Sequence, residues 1–487
     1  MSMQKKVEKT DGMVYNEKAD FLKRFFHGYF LQILTCQSYR KRVTVYLMRK
    51  TKFFSSSRTI IFGFAAVIVA GTLLLMLPIS SKERVVTPLL DCLFTATSST
   101  CVTGLVVRDT ATHWSVFGQF VILIMIQIGG MGIVTTAILA TMLSGKKINL
   151  MQRNTMQESI SAHKIGGIVR LSRFIIITSM IIELTGALIL LFVFCPEYGS
   201  KGIWMSVFHS ISAFCNAGFD LMGETAEYSS LTRYVYNPLV NITVMLLIIV
   251  GGIGFLTWDD IRTNKWHIKR YRMQSKVIFC VTAVLIFVPT VYFFFFEFKD
   301  LSLGKRILVS LFQSVTPRTA GFNTVDASEL SESGNAVVTV LMLIGGAPGS
   351  TAGGMKITTI AVLFAAASSV FHRRDSAHIL GRGVSDSIVR VASVIFVMYV
   401  TLFLFGGMII SRIEGLPLTK CLYETASAIG TVGLTTGITT TLGSVSRIIL
   451  IFLMYIGRVG GLTIIFATRS GAQKNLVKFP QETITVG

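Results

Sequence analysis

The sequence predicts an all-α polytopic membrane protein built from four helix–pore loop–helix hairpins in a pseudo-fourfold arrangement, with eight transmembrane helices. Three observations predict it. Of 487 residues, 52% are hydrophobic and only 15% are charged, against about 25% charged in ordinary globular chains. Eight segments approach the ~20 mainly apolar residues that a membrane helix needs. Between the members of each pair lies a shorter stretch rich in Ser, Thr and Gly, and these stretches resemble one another. A soluble multidomain enzyme is excluded, because its polar surface could not be supplied. The net charge of +21 is accounted for by basic cytoplasmic loops that set topology, so nucleic acid is not an expected partner.

Residues 1–58 carry 13 Lys/Arg and 4 Asp/Glu, no pattern for a cleaved secretory signal. This basic region is expected to stay cytoplasmic. In it Phe21, Leu22, Phe25, Phe26, Tyr29, Phe30, Ile33 and Leu34 share one helical face. That face suits an interfacial helix or one packed on the spans or a partner. Hairpin 1 occupies 59–143, with spans at 59–79 and 116–143 around a pore stretch at 88–105. Hairpin 2, with its leading loop, occupies 144–257, with spans at 168–194 and 236–257 around 204–219. Hairpin 3 occupies 258–371, with spans at 276–296 and 335–371 around 305–323. Hairpin 4 occupies 372–469, with spans at 388–410 and 445–467 around 419–435, and 470–487 is a tail. Segment 144–173 has six Lys/Arg against one acid and 258–276 has six against two, whereas 220–233 has one against three. The first two are therefore cytoplasmic, and an even number of spans returns the C-terminus there.

Non-helical backbone at membrane depth is tolerated only inside protein or beside water, so the four pore stretches imply a wet path. They align as Val102-Thr103-Gly104-Leu105, Asn216-Ala217-Gly218-Phe219, Thr319-Ala320-Gly321-Phe322 and Thr431-Val432-Gly433-Leu434. A second mark follows each: Ile-Gly-Gly-Met-Gly from 128, Val-Gly-Gly-Ile-Gly from 250, Ile-Gly-Gly-Ala-Pro-Gly from 344 and Ile-Gly-Arg-Val-Gly-Gly from 456. Close helix packing would explain the second mark alone but not the first. Four inward-facing turns on one axis can offer rings of carbonyls in place of a cation's water shell. Glycine permits that backbone because it takes positive φ without a Cβ clash.

Gly345, Gly346, Ala347, Pro348, Gly349, Ser350, Thr351, Ala352, Gly353 and Gly354 cannot comfortably continue a helix. They read as a mobile obstruction or as a static kink. Lys356 beyond them reads as an end-of-span anchor. Arg458 takes the register position of Gly130, Gly252 and Gly346. A charge inside a span is costly and should face the interior, either as a barrier to cations or tied to helix-end carbonyls or an acid. Gln127, Glu183 and Asn241 suit interhelical hydrogen bonds. Asp220, Asp326 and Glu424 beside the pore stretches suit raising cation concentration at the outer mouth, and Asp326 suits a solvated loop charge equally well. Arg318 would oppose entry unless paired, with Glu424 or Asp220 as candidates. The seven cysteines form no C-x-x-C pair, so neither a disulfide scaffold nor a zinc site is expected.

The hairpin plan, the four glycine loops and the Gly-Ala-Pro-Gly-Ser-Thr-Ala-Gly-Gly segment resemble the Trk/Ktr/HKT superfamily of cation transporters, most of all the KtrB type of bacterial potassium-uptake subunit. The resemblance covers about residues 59–470. It implies potassium uptake across the cytoplasmic membrane, with Gly104, Gly218, Gly321 and Gly433 as filter glycines and potassium at the filter carbonyls. Members with serine at the first position tend to favour sodium, so four glycines imply potassium. It implies that Gly345–Gly354 is an intramembrane gate loop and that Arg458 is a pore arginine. It further implies a homodimer in the bilayer and a cytoplasmic nucleotide-binding regulatory ring of the KtrA/TrkA kind. No cofactor is expected in the chain, and sodium activation stays open. Rival expectations are a sodium-selective or poorly selective transporter of the same architecture, a membrane-embedded enzyme, and a non-conducting scaffold.

Overall fold

A computed structural model describes residues 56–137, 150–160, 166–461 and 463. The apolar face at Phe21–Leu34 and the tail at 470–487 lie outside the described residues. Each hairpin begins with a long outer helix: α1 (Ser56–Leu75), α5 (Ile168–Tyr198), α9 (Met273–Tyr292) and α13 (Asp386–Glu414). These four are long and apolar enough to cross a membrane. They expose large apolar side chains such as Phe62, Phe192, Phe287 and Phe405, the reverse of a soluble surface and what lipid requires.

A short pore helix follows each: α2 (Leu89–Cys101), α6 (Lys201–Phe214), α10 (Leu303–Val315) and α14 (Leu418–Gly430). Their C-terminal halves are buried although rich in hydroxyls, as with Thr95, Thr97, Ser98, Ser99 and Thr100. Inner helices return from the side of the glycine loops: α3 (Val116–Met131), α7 (Pro238–Gly252), α11 (Glu332–Leu343) and α15 (Ser444–Val459). Side-chain caps start three of them: Ser115, Ser331 and Asn237, the last with Pro238 in the first turn. Among the described residues, further α-helices are α4 (Leu150–Ile160), α8 (Phe255–Asn264) and α12 (Ile357–Phe371).

Each inner helix packs on the pore helix of the next hairpin: α3 on α6, α7 on α10, α11 on α14, and α15 back on α2. The four hairpins thus close into a ring. The inner helices are shorter than the spans expected at 116–143, 236–257, 335–371 and 445–467, because each stops at its glycine mark. Gly132, Gly254 and Gly460 take φ of +84°, +90° and +84°, and the chain turns there. After α7 the turn into α8 is 93°.

The first glycine of the mark has a different task. A Cβ on Gly129, Gly251 or Gly457 would stand 2.0, 2.1 or 2.2 Å from the carbonyl oxygen of Thr100, Phe214 or Ile429. Those oxygens sit near the C-terminus of a pore helix, so the glycines allow inner helix and pore helix to touch backbone to backbone. Close packing, the simpler reading of this mark, is thus part of its role. The rest is the break at the third glycine.

Candidate ion pathway

Each pore helix ends in the same way. Val102, Asn216, Thr319 and Thr431 take left-handed φ of +54°, +57°, +68° and +53°, and Gly104, Gly218, Gly321 and Gly433 take φ of +91°, +67°, +77° and +99°. One ordinary residue lies between the members of each pair. The amides of Thr103, Ala217 and Val432 then turn back to the carbonyls of Ser98, Ser212 and Ser427, each at 2.8 Å.

These loops meet glycine to carbonyl. A Cβ on Gly104 would lie 2.6 Å from the Ala217 oxygen, on Gly218 2.7 Å from that of Ala320, on Gly321 2.2 Å from that of Val432, and on Gly433 2.3 Å from that of Thr103. Four carbonyl oxygens from four loops therefore form a closed circle. The glycines are required by this close approach as much as by φ.

Pore-helix hydroxyls buckle the loops in place, a role that went unread in the sequence. Ser98 Oγ accepts from the Gly104 amide at 3.1 Å, and Ser427 Oγ from that of Gly433 at 3.0 Å. Ser212 Oγ donates to the Phe219 carbonyl at 2.7 Å, and Thr316 Oγ1 to that of Phe322 at 2.6 Å. The available signal was the recurrence of Ser or Thr five or six residues before each glycine.

A cavity of about 140 Å³ opens beside the ring, lined by its four glycines together with Asp109, Asp220, Ser230 and Asn323. Burial pushes the Asp220 carboxyl up to about 6, against the Met222 amide that favours its charge, with Asp109 adding to the rise. The other two acids expected at this mouth do not line this cavity. Glu424 is fully buried behind the fourth loop, accepting from Thr435, Thr436 and Thr439. Asp326 caps a turn at Ser328.

A second cavity, of about 370 Å³, is lined by Gly130, Gly132, Glu158, Pro348, Lys356 and Arg458 among others. Segment 345–354 crosses between hairpins here. The Ala347 amide donates to Gly252 at 2.9 Å, the Phe255 amide to Gly349 at 2.7 Å, and Thr351 Oγ1 to Phe214 at 3.0 Å. At its far end, Cβ atoms on Gly353 and Gly354 would meet Thr431 Oγ1 and the Gly430 oxygen. Arg458 donates to the Thr351 carbonyl, and to those of Gly129 and Gly130. It ties the segment to the end of α3 and has no carboxylate partner among the described residues. Lys356 folds back onto the carbonyls of Ala352 and Gly353, at 2.7 and 3.3 Å, rather than anchoring a span end.

Gln127 donates to Glu183 at 3.0 Å and so joins α3 to α5. Asn241 instead ties its own helix to the turn before it, donating to the carbonyls of Tyr234 and Asn237. Arg318 is buried against Thr282 Oγ1 at 3.4 Å, and neither Glu424 nor Asp220 pairs it. Nothing in the structure explains that choice of residue.

The family model for TrkH, described as a cation transport protein, matches residues 22–478. The chain belongs to this family. It is 38% identical over 457 residues to the potassium/sodium uptake protein NtpJ of Enterococcus hirae, covering 91% of this chain and 100% of the relative. It is 37% identical to the Ktr system potassium uptake protein B of Bacillus subtilis, over 89% of this chain and 97% of that one. The crystal structure of the potassium transporter TrkH from Vibrio parahaemolyticus superposes with a TM-score of 0.67, at 18% identity and 86% of each chain, which establishes the fold. The chain is therefore a predominantly helical, multi-pass membrane transporter of cations and not an enzyme.

Proposed function

We propose that this transporter conducts potassium into the cell through the ring formed by Gly104, Gly218, Gly321 and Gly433. The observation that carries the reading is the closed circle of Thr103, Ala217, Ala320 and Val432 oxygens, since carbonyls can replace a cation's hydration shell. The printed names of the relatives, potassium uptake and potassium/sodium uptake, supply the ion class. The membrane potential drives entry, worth about 2.3 kcal/mol per charge per 100 mV. Segment 345–354 and Arg458 form the gate on the inner side of the ring. The termini lie in the cytoplasm, where a regulatory nucleotide-binding ring docks on a homodimer of this chain. The word "system" in the names of the Ktr relatives supports a further component.

The potassium/sodium name favours a second reading, transport with poor discrimination between the two ions. Rubidium and sodium tracer uptake into proteoliposomes under an inside-negative potential decides between them. Rubidium uptake well above sodium uptake is expected, as is rescue of potassium-uptake-deficient cells at low external potassium. Equal uptake of both ions would favour the second reading, and uptake of neither would end both.

A further inference from the structure

Nine residues before the filter glycine, the four pore helices carry Thr95, His209, Phe312 and Glu424. In hairpins 2 and 4, diagonal members of the ring, this side chain reaches the backbone three residues beyond the glycine. His209 Nε2 accepts from the Leu221 amide at 3.4 Å, and Glu424 Oε1 accepts from the Thr436 amide at 3.1 Å. In the other diagonal, Phe312 can make no hydrogen bond and Thr95 Oγ1 has no partner among the described residues. The fourfold repeat is twofold at this level.

Hydrogen counting assigns the state of both side chains. His209 Nδ1 lies 2.7 Å from the Met205 carbonyl, so Nδ1 carries the hydrogen and Nε2 offers its lone pair, as a neutral ring does. Around Glu424, Thr435 Oγ1 contacts Oε1, Thr439 Oγ1 contacts Oε2 at 2.7 Å, and the two hydroxyls contact each other at 2.9 Å. Three oxygen–oxygen contacts need three hydrogens. The threonines supply two, and the nearby amides are already spent, Thr436 on Glu424 and Gly437 on Thr435 at 2.9 Å. The third must come from the carboxyl. Cys421 and Tyr423 of its own helix feel its charge, with Glu414 and Asp326 beyond them, and Lys420, one turn earlier on that helix, is exposed. Among the described residues no Lys or Arg nitrogen pairs with it.

We propose that Glu424 is held as a neutral carboxylic acid closing a ring with Thr435 and Thr439. With His209 it is a positioning residue that fixes the backbone of two opposite filter loops and so sets ion discrimination. The discrimination half rests on the conduction reading above, whereas the protonation half does not.

Glu424→Gln reproduces the neutral acid, with an amide donor toward Thr439 and an acceptor toward Thr435 and Thr436. In proteoliposomes its rubidium-to-sodium flux ratio should stay within about twofold of the parent, while Glu424→Ala and the near-isosteric Thr439→Val should lower it about fivefold or more, as loss of a buried hydrogen bond implies. The infrared difference spectrum of parent minus Glu424→Gln at neutral pH should contain a protonated carboxyl C=O band. A Gln variant as impaired as Ala, or a difference spectrum showing only carboxylate bands, overturns the neutral acid. A parental ratio in Thr439→Val overturns the positioning role, and that variant carries the test should Glu424→Ala fail to fold. A parent that conducts neither ion defeats the conduction reading, and the discrimination half with it. The infrared band, read without flux, still decides the protonation.

Discussion

At Gly104 a serine would carry its Cβ 2.6 Å from the Ala217 oxygen, on a backbone at φ +91°. The loop must give way, at about 1–3 kcal/mol for a left-handed residue with a side chain. The clash falls where the first loop meets the second and leaves the third and fourth untouched. Gly104→Ser should therefore fold and yet discriminate less well between rubidium and sodium. An unchanged flux ratio would remove Gly104 from the filter. In the proposed conduction path Asp220 would govern a different property, the cation concentration in the cavity beside the ring. Its carboxyl is pushed up to about 6, so it is mostly charged at pH 7.5 and loses charge as external pH falls through 6. Apparent rubidium affinity should fall a few-fold between pH 7.5 and 5, and Asp220→Asn should flatten that dependence. A pH profile unchanged in the variant would mean that Asp220 does not govern entry.

Segment 345–354 belongs to no helix, yet it is hydrogen-bonded to α7, α8 and α15. These contacts satisfy buried backbone groups and would hold a closed gate and a static kink alike, so flux separates the two. Removing Gly346–Gly353 should raise rubidium flux per folded molecule; a stable shortened protein conducting no faster than the parent would make the segment structural. Arg458 acts on the same element. Its guanidinium lines the second cavity, where the proposed barrier would act, while its donors hold Thr351 and the end of α3. Arg458→Gln removes one positive charge and loosens the segment, so flux should rise, on the order of tenfold for a barrier lower by about 1.4 kcal/mol. Parental flux together with a lowered melting temperature would leave only the structural role.

At the scale of the whole molecule, ring closure joins the first hairpin to the last. Besides α15 packing on α2, the buried Asp91 at the start of α2 binds Arg447 at 2.8 Å and Arg108 at 2.9 Å. Breaking a buried pair costs about 3–5 kcal/mol, because the remaining charge loses its partner. Arg108 is half exposed and still solvated, so Arg447 carries most of that cost. Asp91→Asn should lower the melting temperature in detergent measurably, with Arg447→Gln lowering it less than additively when combined. Additive losses would show that the two do not act as a pair.

The glycine loops, the hairpin plan and the inner-helix marks were legible because backbone constraints leave a direct trace. Positive φ and close carbonyl approach select glycine at Gly104, Gly218, Gly321 and Gly433 wherever the surrounding chain happens to lie. Lipid exposure likewise writes long apolar runs into α1, α5, α9 and α13. Side-chain partners leave no such trace. Only the tertiary structure decided that Glu424 lies behind a loop rather than at the mouth, and that Lys356 turns back on its own segment. Only it decided that Arg318 meets no acid among the described residues and that Asn241 binds the turn before its own helix. These outcomes depend on how far apart helices distant in sequence come to rest, and hydropathy and spacing do not encode that distance.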